Sequence, residues 1–385
     1  MAANTEIKAM TGLRGIAALM VAIYHINPEL AARATPGLGR LLGRGYLWVD
    51  LFFVLSGFVL ALNYAERFAA GWSIERWIEF LIRRVARIYP LYLATLAAGV
   101  ALLAMGYGKT FALPLLFDPT LRHPVMLGFA NLAMLQSWGF GPSLDGTAWS
   151  LSAEWAAYLL FPALVAAALF SRARLAALVA ALAAGAAVAT ALLTASDGEI
   201  HSGALDAYDG ATVEPLLRCF SGFVLGVLTY RMTQVRALAA LGSDMTIVTL
   251  LVLLVIGLAS MVPDLAVLPL FPLLVLGLYR NRGALGRALG SPALHGLGVV
   301  SYSVYLVHPF LVAPKQALVA RAAAFLPAPL SDLVLSLAAY ALLLAVARFA
   351  YRAIELPGRR RLNRLAEAWA AQRRAASVFA PQLGE

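Results

Sequence analysis

Cysteine is nearly absent: the 385 residues hold one, Cys219. A single thiol excludes an intramolecular disulfide framework and a multi-cysteine metal site, and no metal is expected. Charge is scarce as well. Only 13% of residues are charged and 62% are hydrophobic, which excludes an ordinary soluble domain. The net charge of +10 is modest for this length and reads as loop asymmetry, so nucleic acid is not expected as a partner. The N-terminus (MAANTEIKAM) has no basic n-region followed by an apolar core and a small-residue cleavage site. The first apolar run is therefore expected to be a retained span. No internal repeat is evident, and the Ala/Leu-rich stretch 163–195 reads as plain lipid-facing helix.

What the chain does have is apolar runs, at 11–29, 45–64, 88–107, 125–138, 149–171, 174–195, 213–230, 245–262, 264–280, 295–314 and 331–353. The fourth is short, carries Asn131 and Gln136, and stops before Gly141-Pro142, so it is expected to be re-entrant or interfacial. Charge supports leaving it out. With 125–138 not crossing and the N-terminus cytoplasmic, 21 of the 30 Lys and Arg fall inside and seven outside. If it crossed, Arg172 and Arg174 would move outside and every later loop would invert, against the positive-inside bias. The expected fold class is thus all-α: a polytopic membrane protein with ten transmembrane helices, a short non-spanning segment and a cytoplasmic amphipathic helix. A membrane domain over 1–354 would be followed by a basic cytoplasmic tail, 355–385, suited to an anionic leaflet, with Pro357 ending the last helix. The outer loop 196–212 is acidic through Asp197, Glu199, Asp206 and Asp209.

Ionisable residues inside spans are costly, about 2.5–3.5 kcal/mol for an Arg on insertion scales, and mark function by default. Arg14 and His25 lie eleven residues apart in the first span. That is about three turns, which puts them on one face roughly 16 Å apart. The structural alternative is an Arg that snorkels and a His satisfied by a neighbouring helix. By helix rise, His25, Asp50, Glu154, Arg218 and His308 fall at similar depth, about 7 Å below the outer boundary, which suggests one polar chamber. Either Asp50 or Glu154 could fix the tautomer of His25 and stabilise its imidazolium, as general-base catalysis needs. Alternatively Asp50 pairs with Arg44, Glu154 pairs with Arg218, and His308 is only a helix-end histidine. His123, His201 and His295 receive no role.

The inner-loop segment SIERWIEFLIRRVARIYP, 73–90, carries a stripe of Arg76, Phe80, Arg83 and Arg87 with Arg84 at its edge. Ser73 reads as an N-cap and Pro90 as a disruptor. One reading is an interfacial helix whose arginines meet lipid phosphates. The other is a polyphosphate site, with guanidinium forks for phosphate and Phe80 offering a face to a base; coenzyme A fits that description.

Taken in order, several segments resemble the acyltransferase-three family of integral membrane O-acyltransferases. They are Leu13-Arg14-Gly15 with His25, Asp50-Leu-Phe-Phe-Val-Leu-Ser56-Gly57-Phe58, Arg76-x3-Phe80-x2-Arg83, and Arg87-Ile-Tyr-Pro90-Leu-Tyr92. Trp149-Ser150-Leu-Ser-Ala-Glu154, Ser301-Tyr302-Ser303-x-Tyr305-Leu-x-His308-Pro309 and Glu355-x-Pro357 complete the series. The resemblance implies ten core spans in a bacterial cytoplasmic (inner) membrane, with both termini cytoplasmic. It implies acetyl-CoA or another short acyl-CoA as donor. The acceptor would be a hydroxyl on a cell-surface glycan, a lipid-linked sugar precursor or a small secreted molecule. Arg14, His25, Arg76 and Arg83 are the positions it singles out. Some members carry a C-terminal esterase-like domain; this chain is expected to work through its membrane domain alone or with a separate partner. The resulting assignment is catalytic His25, Asp50 and Glu154; donor-binding Arg14, Arg76, Phe80, Arg83, Arg84 and Arg87; acceptor-binding Trp149, Ser150, Arg218, Tyr302, Tyr305 and His308. The expected partners are the bilayer, acyl-CoA and the sugar acceptor, with a homo-oligomer left open.

Two rivals remain at this point. A proton-coupled transporter or lipid-linked glycan flippase would use the buried His, Asp and Glu as a relay and would show broken helices and pseudo-symmetric halves, neither of which is clear in the sequence. A glycan polymerase or ligase would place a larger catalytic loop outside than 108–148.

Overall fold

The computed structural model describes residues 6–105, 124–197, 201–208, 212–322, 325 and 327–379. Lys109, Arg122, His123, Glu199 and Asp209 lie outside them. Among the described residues every regular element is helical. The chain runs through α1 (Lys8–Ile26), α2 (Pro28–Arg33), α3 (Pro36–Gly43), α4 (Trp48–Phe68), α5 (Ile74–Ala104) and α6 (Pro124–Leu132). Next come α7 (Trp149–Leu169), α8 (Ala173–Ser196), α9 (Glu214–Met232), α10 (Asp244–Ala259), α11 (Asp264–Val267) and α12 (Leu270–Arg280). The last third holds α13 (Ala284–Leu289), α14 (Pro292–Val299), α15 (Ser301–Val307), α16 (Pro309–Ala322), α17 (Ala328–Ala350) and α18 (Leu356–Phe379). Among the described residues six stretches are long and apolar enough to cross a membrane, and a seventh qualifies if the bent pair Arg236–Gly242 and Asp244–Ala259 is one span.

Four sequence expectations change here. The amphipathic segment 73–90 and the run 88–107 are one helix, α5, that passes straight through Pro90. A proline removes one donor and crowds one carbonyl, a cost that packing can offset. Gly358 of α18 sits against the Pro90 ring, where a Cβ would be 2.5 Å from Pro90 Cβ. Pro357 does not end the last helix either. It falls in the first turn of α18, where a missing N–H is not needed, after a π-turn at Tyr351–Glu355. That turn inserts Glu355 into the interior, 1% exposed. The run 295–314 is three helices, interrupted at Val300 and His308, with Pro309 opening α16. The run 264–280 is likewise split into α11 and α12.

The segment 125–138 contains a nine-residue helix, α6, too short to cross, followed by irregular backbone. Met134 there has φ of 56°.

Two close helix contacts set the core. α9 packs between α4, α7 and α8. A Cβ at Gly57 would collide with the Phe223 carbonyl, and one at Gly226 with that of Val54. α1 meets α14 in the same manner through Gly15 and Gly298. Without a hydrophobic drive between helices in lipid, such close backbone approach is what holds them together.

Candidate active site

α1 carries the site along one face. His25 is half-buried near its C-terminal end, and Nδ1 lies 2.9 Å from the Val21 carbonyl one turn back. A carbonyl only accepts, so Nδ1 holds the proton and Nε2 keeps its lone pair. His308 Nε2 is 3.2 Å from the same Nδ1, with ring centroids 5.0 Å apart. Sharing that one proton makes His308 Nε2 an acceptor and leaves its own proton on Nδ1. His308 is 0% exposed and interacts with the Tyr305 and Val304 backbone, but among the described residues its Nδ1 makes no well-formed hydrogen bond. The break between α15 and α16 is what brings this ring to α1, because His308 is the cap residue between the two helices.

Three turns earlier, Arg14 donates from Nε to Ser301 Oγ at 3.0 Å and from a terminal nitrogen to the Gly298 carbonyl at 3.0 Å. Its guanidinium interacts electrostatically with Arg87, Glu355 and Arg359. Arg87 forms an ion pair with Glu355, whose other oxygen accepts from Ser303 Oγ at 2.8 Å. The Arg87 guanidinium also sits 5.4 Å from the centre of the Tyr302 ring, and the Tyr302 hydroxyl donates to the Ile88 carbonyl at 2.7 Å. α1, α5, α15 and the π-turn thus converge on one charged cluster. Glu355 had only a motif position from sequence and no role; its signal is the Glu-x-Pro step after the last span.

The single chamber inferred from depth is not what the structure shows. Its five residues fall into three groups. His25 and His308 are one. Asp50 and Arg218 are the second, both 1% exposed, with Arg218 Nε and a terminal nitrogen donating at 3.1 and 2.7 Å to the two Asp50 oxygens. Arg218 also donates to the Ala207 and Tyr46 carbonyls and lies over the Trp149 ring, 5.3 Å from its centre. Asp50 therefore does not serve His25, and Arg218 has no free fork for a substrate. The suggested partner of Asp50, Arg44, instead pairs with Asp264. Glu154 is the third group: it bonds Ser56 and Tyr158 and interacts with Arg84 and Arg87, away from His25.

The donor stripe is also redistributed. Phe80 is 1% exposed, stacked on Phe161 at 4.8 Å with Tyr64, Phe68 and Tyr158 at its edges, so it offers no face to a base. Arg76 donates to the Arg67 carbonyl at 2.7 Å, and Arg83 pairs with Glu79 at 3.0 Å. Arg84 reaches the Tyr64 hydroxyl at 2.8 Å, with its Nε buried and unpartnered. Among the acceptor candidates, Ser150 and Tyr305 bond each other at 2.8 Å, and the Tyr305 hydroxyl donates to the Thr147 carbonyl. Trp149 packs on Phe53, centroids 6.3 Å apart. A cavity of about 380 Å³ lies at the start of α1, lined by Lys8, Arg282 and Arg287 beside α12 and α13.

A guanidinium–carboxylate cluster thus stands at one end of α1 and a histidine pair at the other, inside an apolar helical bundle. A family model described as an acyltransferase domain matches residues 7–350. The chain belongs to that family of acyltransferase domains. It is 34% identical over 167 residues to acyltransferase MdmB of Streptomyces mycarofaciens, covering 41% of this chain and 38% of that protein. It is 27% identical over 209 residues to the putative peptidoglycan O-acetyltransferase YrhL of Bacillus subtilis, covering 50% of this chain and 29% of that protein. It is 27% identical over 167 residues to the peptidoglycan O-acetyltransferase OatA of Listeria monocytogenes, covering 41% of this chain and 24% of that protein. The matches thus span well under half the length of these relatives. No solved structure matches the chain. Broken helices are present in α11–α12 and α14–α16, as a transporter would also have, while the family match is to acyltransferase domains.

Proposed function

We propose that this acyltransferase moves an acetyl or other short acyl group from cytoplasmic acyl-CoA to a hydroxyl of an extracytoplasmic acceptor, a cell-surface glycan or its lipid-linked precursor. The observation that carries the reading is the layout of α1, with Arg14 in a guanidinium cluster and His25 with a free Nε2 eleven residues on. About 16 Å of helix separates them, a span that the pantetheine arm of coenzyme A can cover. The topology that goes with it has ten spans, counting α9, α10 and the broken pairs. Both termini are cytoplasmic, and 355–385 is a basic tail whose first turns dock on α5.

Nucleotide phosphates are held at the cytoplasmic end by arginines of α1 and α5, and the thioester is presented towards His25. Nε2 of His25 takes the proton of the acceptor hydroxyl as its oxygen attacks the thioester carbonyl. A C–O bond forms, the C–S bond breaks, and the thiolate of coenzyme A recovers the proton from the imidazolium. The two-step variant passes the acyl group through Nε2. Family membership and the likeness to O-acetyltransferases support oxygen as the acceptor atom.

The test uses inverted membrane vesicles given radiolabelled acetyl-CoA. Label is expected in the glycan or lipid fraction with wild type and not with His25→Ala. Label retained on the protein in a single turnover without acceptor selects the two-step route. Vesicles of opposite orientation that work equally well, or His25→Ala that transfers normally, overturn the proposal.

A further inference from the structure

The carboxylates that the sequence offered to His25 are engaged elsewhere, Asp50 by Arg218 and Glu154 by Ser56 and Tyr158. An imidazolium forming in a low-dielectric interior still needs a counter-charge. The wall beside His25 supplies one. Tyr24 meets the His25 ring edge-on, centroids 4.8 Å apart. Its hydroxyl lies 2.8 Å from Ser202 Oγ and 3.5 Å from Asp206 Oδ2. Asp206 is 5% exposed, far from the solvated state usual for a carboxylate in an acidic loop. It is fixed from its own segment: the Ser202 backbone N–H donates to Oδ2 at 3.0 Å, and His201 Nδ1 lies 3.0 Å from the Asp206 carbonyl oxygen. His201 in turn pairs with Asp197 at 2.7 Å. The segment 201–208 is also tied down beyond His25, because the Leu205 backbone N–H donates to buried Asp264 at 2.9 Å.

We propose that Asp206 is a positioning residue for His25, acting through Tyr24: residues 201–208 fold against the histidine-bearing end of α1 and hold a carboxylate that faces the imidazolium from behind the phenol ring. This rests on the reading of His25 as the base. The electrostatic interaction of Asp206 with His25 agrees with the placement. Arg218 also interacts with Asp206, but its direct ion pair is with Asp50. The phenol keeps the carboxylate from bonding the imidazole directly. Nδ1 therefore stays on Val21 and Nε2 stays available to the acceptor.

Asparagine at this position keeps the shape and one acceptor oxygen but removes the charge, which separates an electrostatic role from a structural one. In the vesicle assay with radiolabelled acetyl-CoA, D206N is expected to lower the rate at saturating donor about tenfold, with the half-saturating concentration of acetyl-CoA unchanged. D206E is expected to recover most of that loss. Tyr24→Phe removes only the hydroxyl and is expected to lower the same rate about threefold. A wild-type rate in D206N overturns the proposal, as does a D206N defect that appears in the half-saturating concentration instead of the rate. Should D206N fail to accumulate in membranes, a wild-type rate for Tyr24→Phe overturns it. Transfer that survives in His25→Ala overturns the base assignment itself, whereas loss in His25→Ala with wild-type D206N overturns only the role of Asp206.

Discussion

The Asp50–Arg218 pair and the His25–His308 pair both put ionisable groups inside the bundle, yet they are built to opposite ends. In the first, the Arg218 guanidinium spends its donors on two carboxylate oxygens and two carbonyls, and both residues are 1% exposed. In the second, capacity is left over. His25 Nε2 has its lone pair, and His308 Nδ1 is buried with no well-formed hydrogen bond among the described residues. An orphaned buried polar group costs about 1–3 kcal/mol, so it persists where something is gained by keeping it. Inside a membrane, then, a charge alone does not mark chemistry. Spare hydrogen-bonding capacity, which Gln136 and Ser221 also keep, points to it where it belongs to a group that can move a proton.

Removing the spare imidazole tests this most severely. His25→Ala is expected to lower acyl transfer about a thousandfold, the middle of the range for losing a general base, while thermal unfolding in detergent stays close to wild type. Arg218→Met should do the reverse. It leaves Asp50 buried and unpaired, costing about 3–5 kcal/mol in stability, seen as lost yield and a lower melting temperature. The double substitution Asp50→Leu with Arg218→Met is expected to regain much of that stability, because no lone charge remains. If Arg218→Met folds normally and loses only activity, the two pairs are not the different things their geometry says they are.

Glu355 stands between these extremes. It is 1% exposed and tied to Arg87 and Ser303, yet the Arg87 side chain is 23% exposed, so the pair borders open space. Glu355→Gln is expected to cost about 2 kcal/mol and to alter donor affinity together with stability. Calorimetry and the acetyl-CoA half-saturation read the two effects separately. A change in one without the other would assign Glu355 to a single side of the comparison.

How far the sequence could show this follows from what each residue's neighbours depend on. The Arg14–His25 relation was legible because both sit on one helix, where spacing alone sets the geometry. Depth along separate helices was not enough. It placed Asp50, Glu154 and Arg218 level with His25, but rotation of each helix decides which way a side chain faces, and Gly57 against Phe223 or Gly226 against Val54 sets that rotation for α4 and α9. The all-helical bundle was legible from the apolar runs, while breaks at Val300 and His308 were not, since nothing in an apolar run requires it to be straight. Asp206 was hidden for a related reason. It stood in an acidic loop that reads as solvated, and only Tyr24, Ser202 and Leu205 reveal that the loop folds inward.

The smallest expected effect separates residues within one stripe. Phe80 and Arg83 are three positions apart on α5, and sequence gave both to the donor nucleotide. Phe80 is fully used: one face is stacked on Phe161, its edges meet Tyr64, Phe68 and Tyr158, and the Arg84 guanidinium is 5.6 Å from its centre. Phe80→Leu should therefore cost about 1 kcal/mol of stability through lost ring contacts and leave the half-saturating concentration of acetyl-CoA as it was. Arg83 is different, since among the described residues its side chain bonds Glu79 alone, whose side chain is 22% exposed, and a guanidinium on a half-open pair can exchange that partner for a phosphate. Arg83→Ala is expected to raise the half-saturating concentration a few-fold with the maximal rate unchanged, the mark of binding lost equally from ground and transition states. A matching rise in Phe80→Leu would show that a ring with no open face still helps hold the donor, and spare capacity would no longer be the sign that tells a working residue from a packed one.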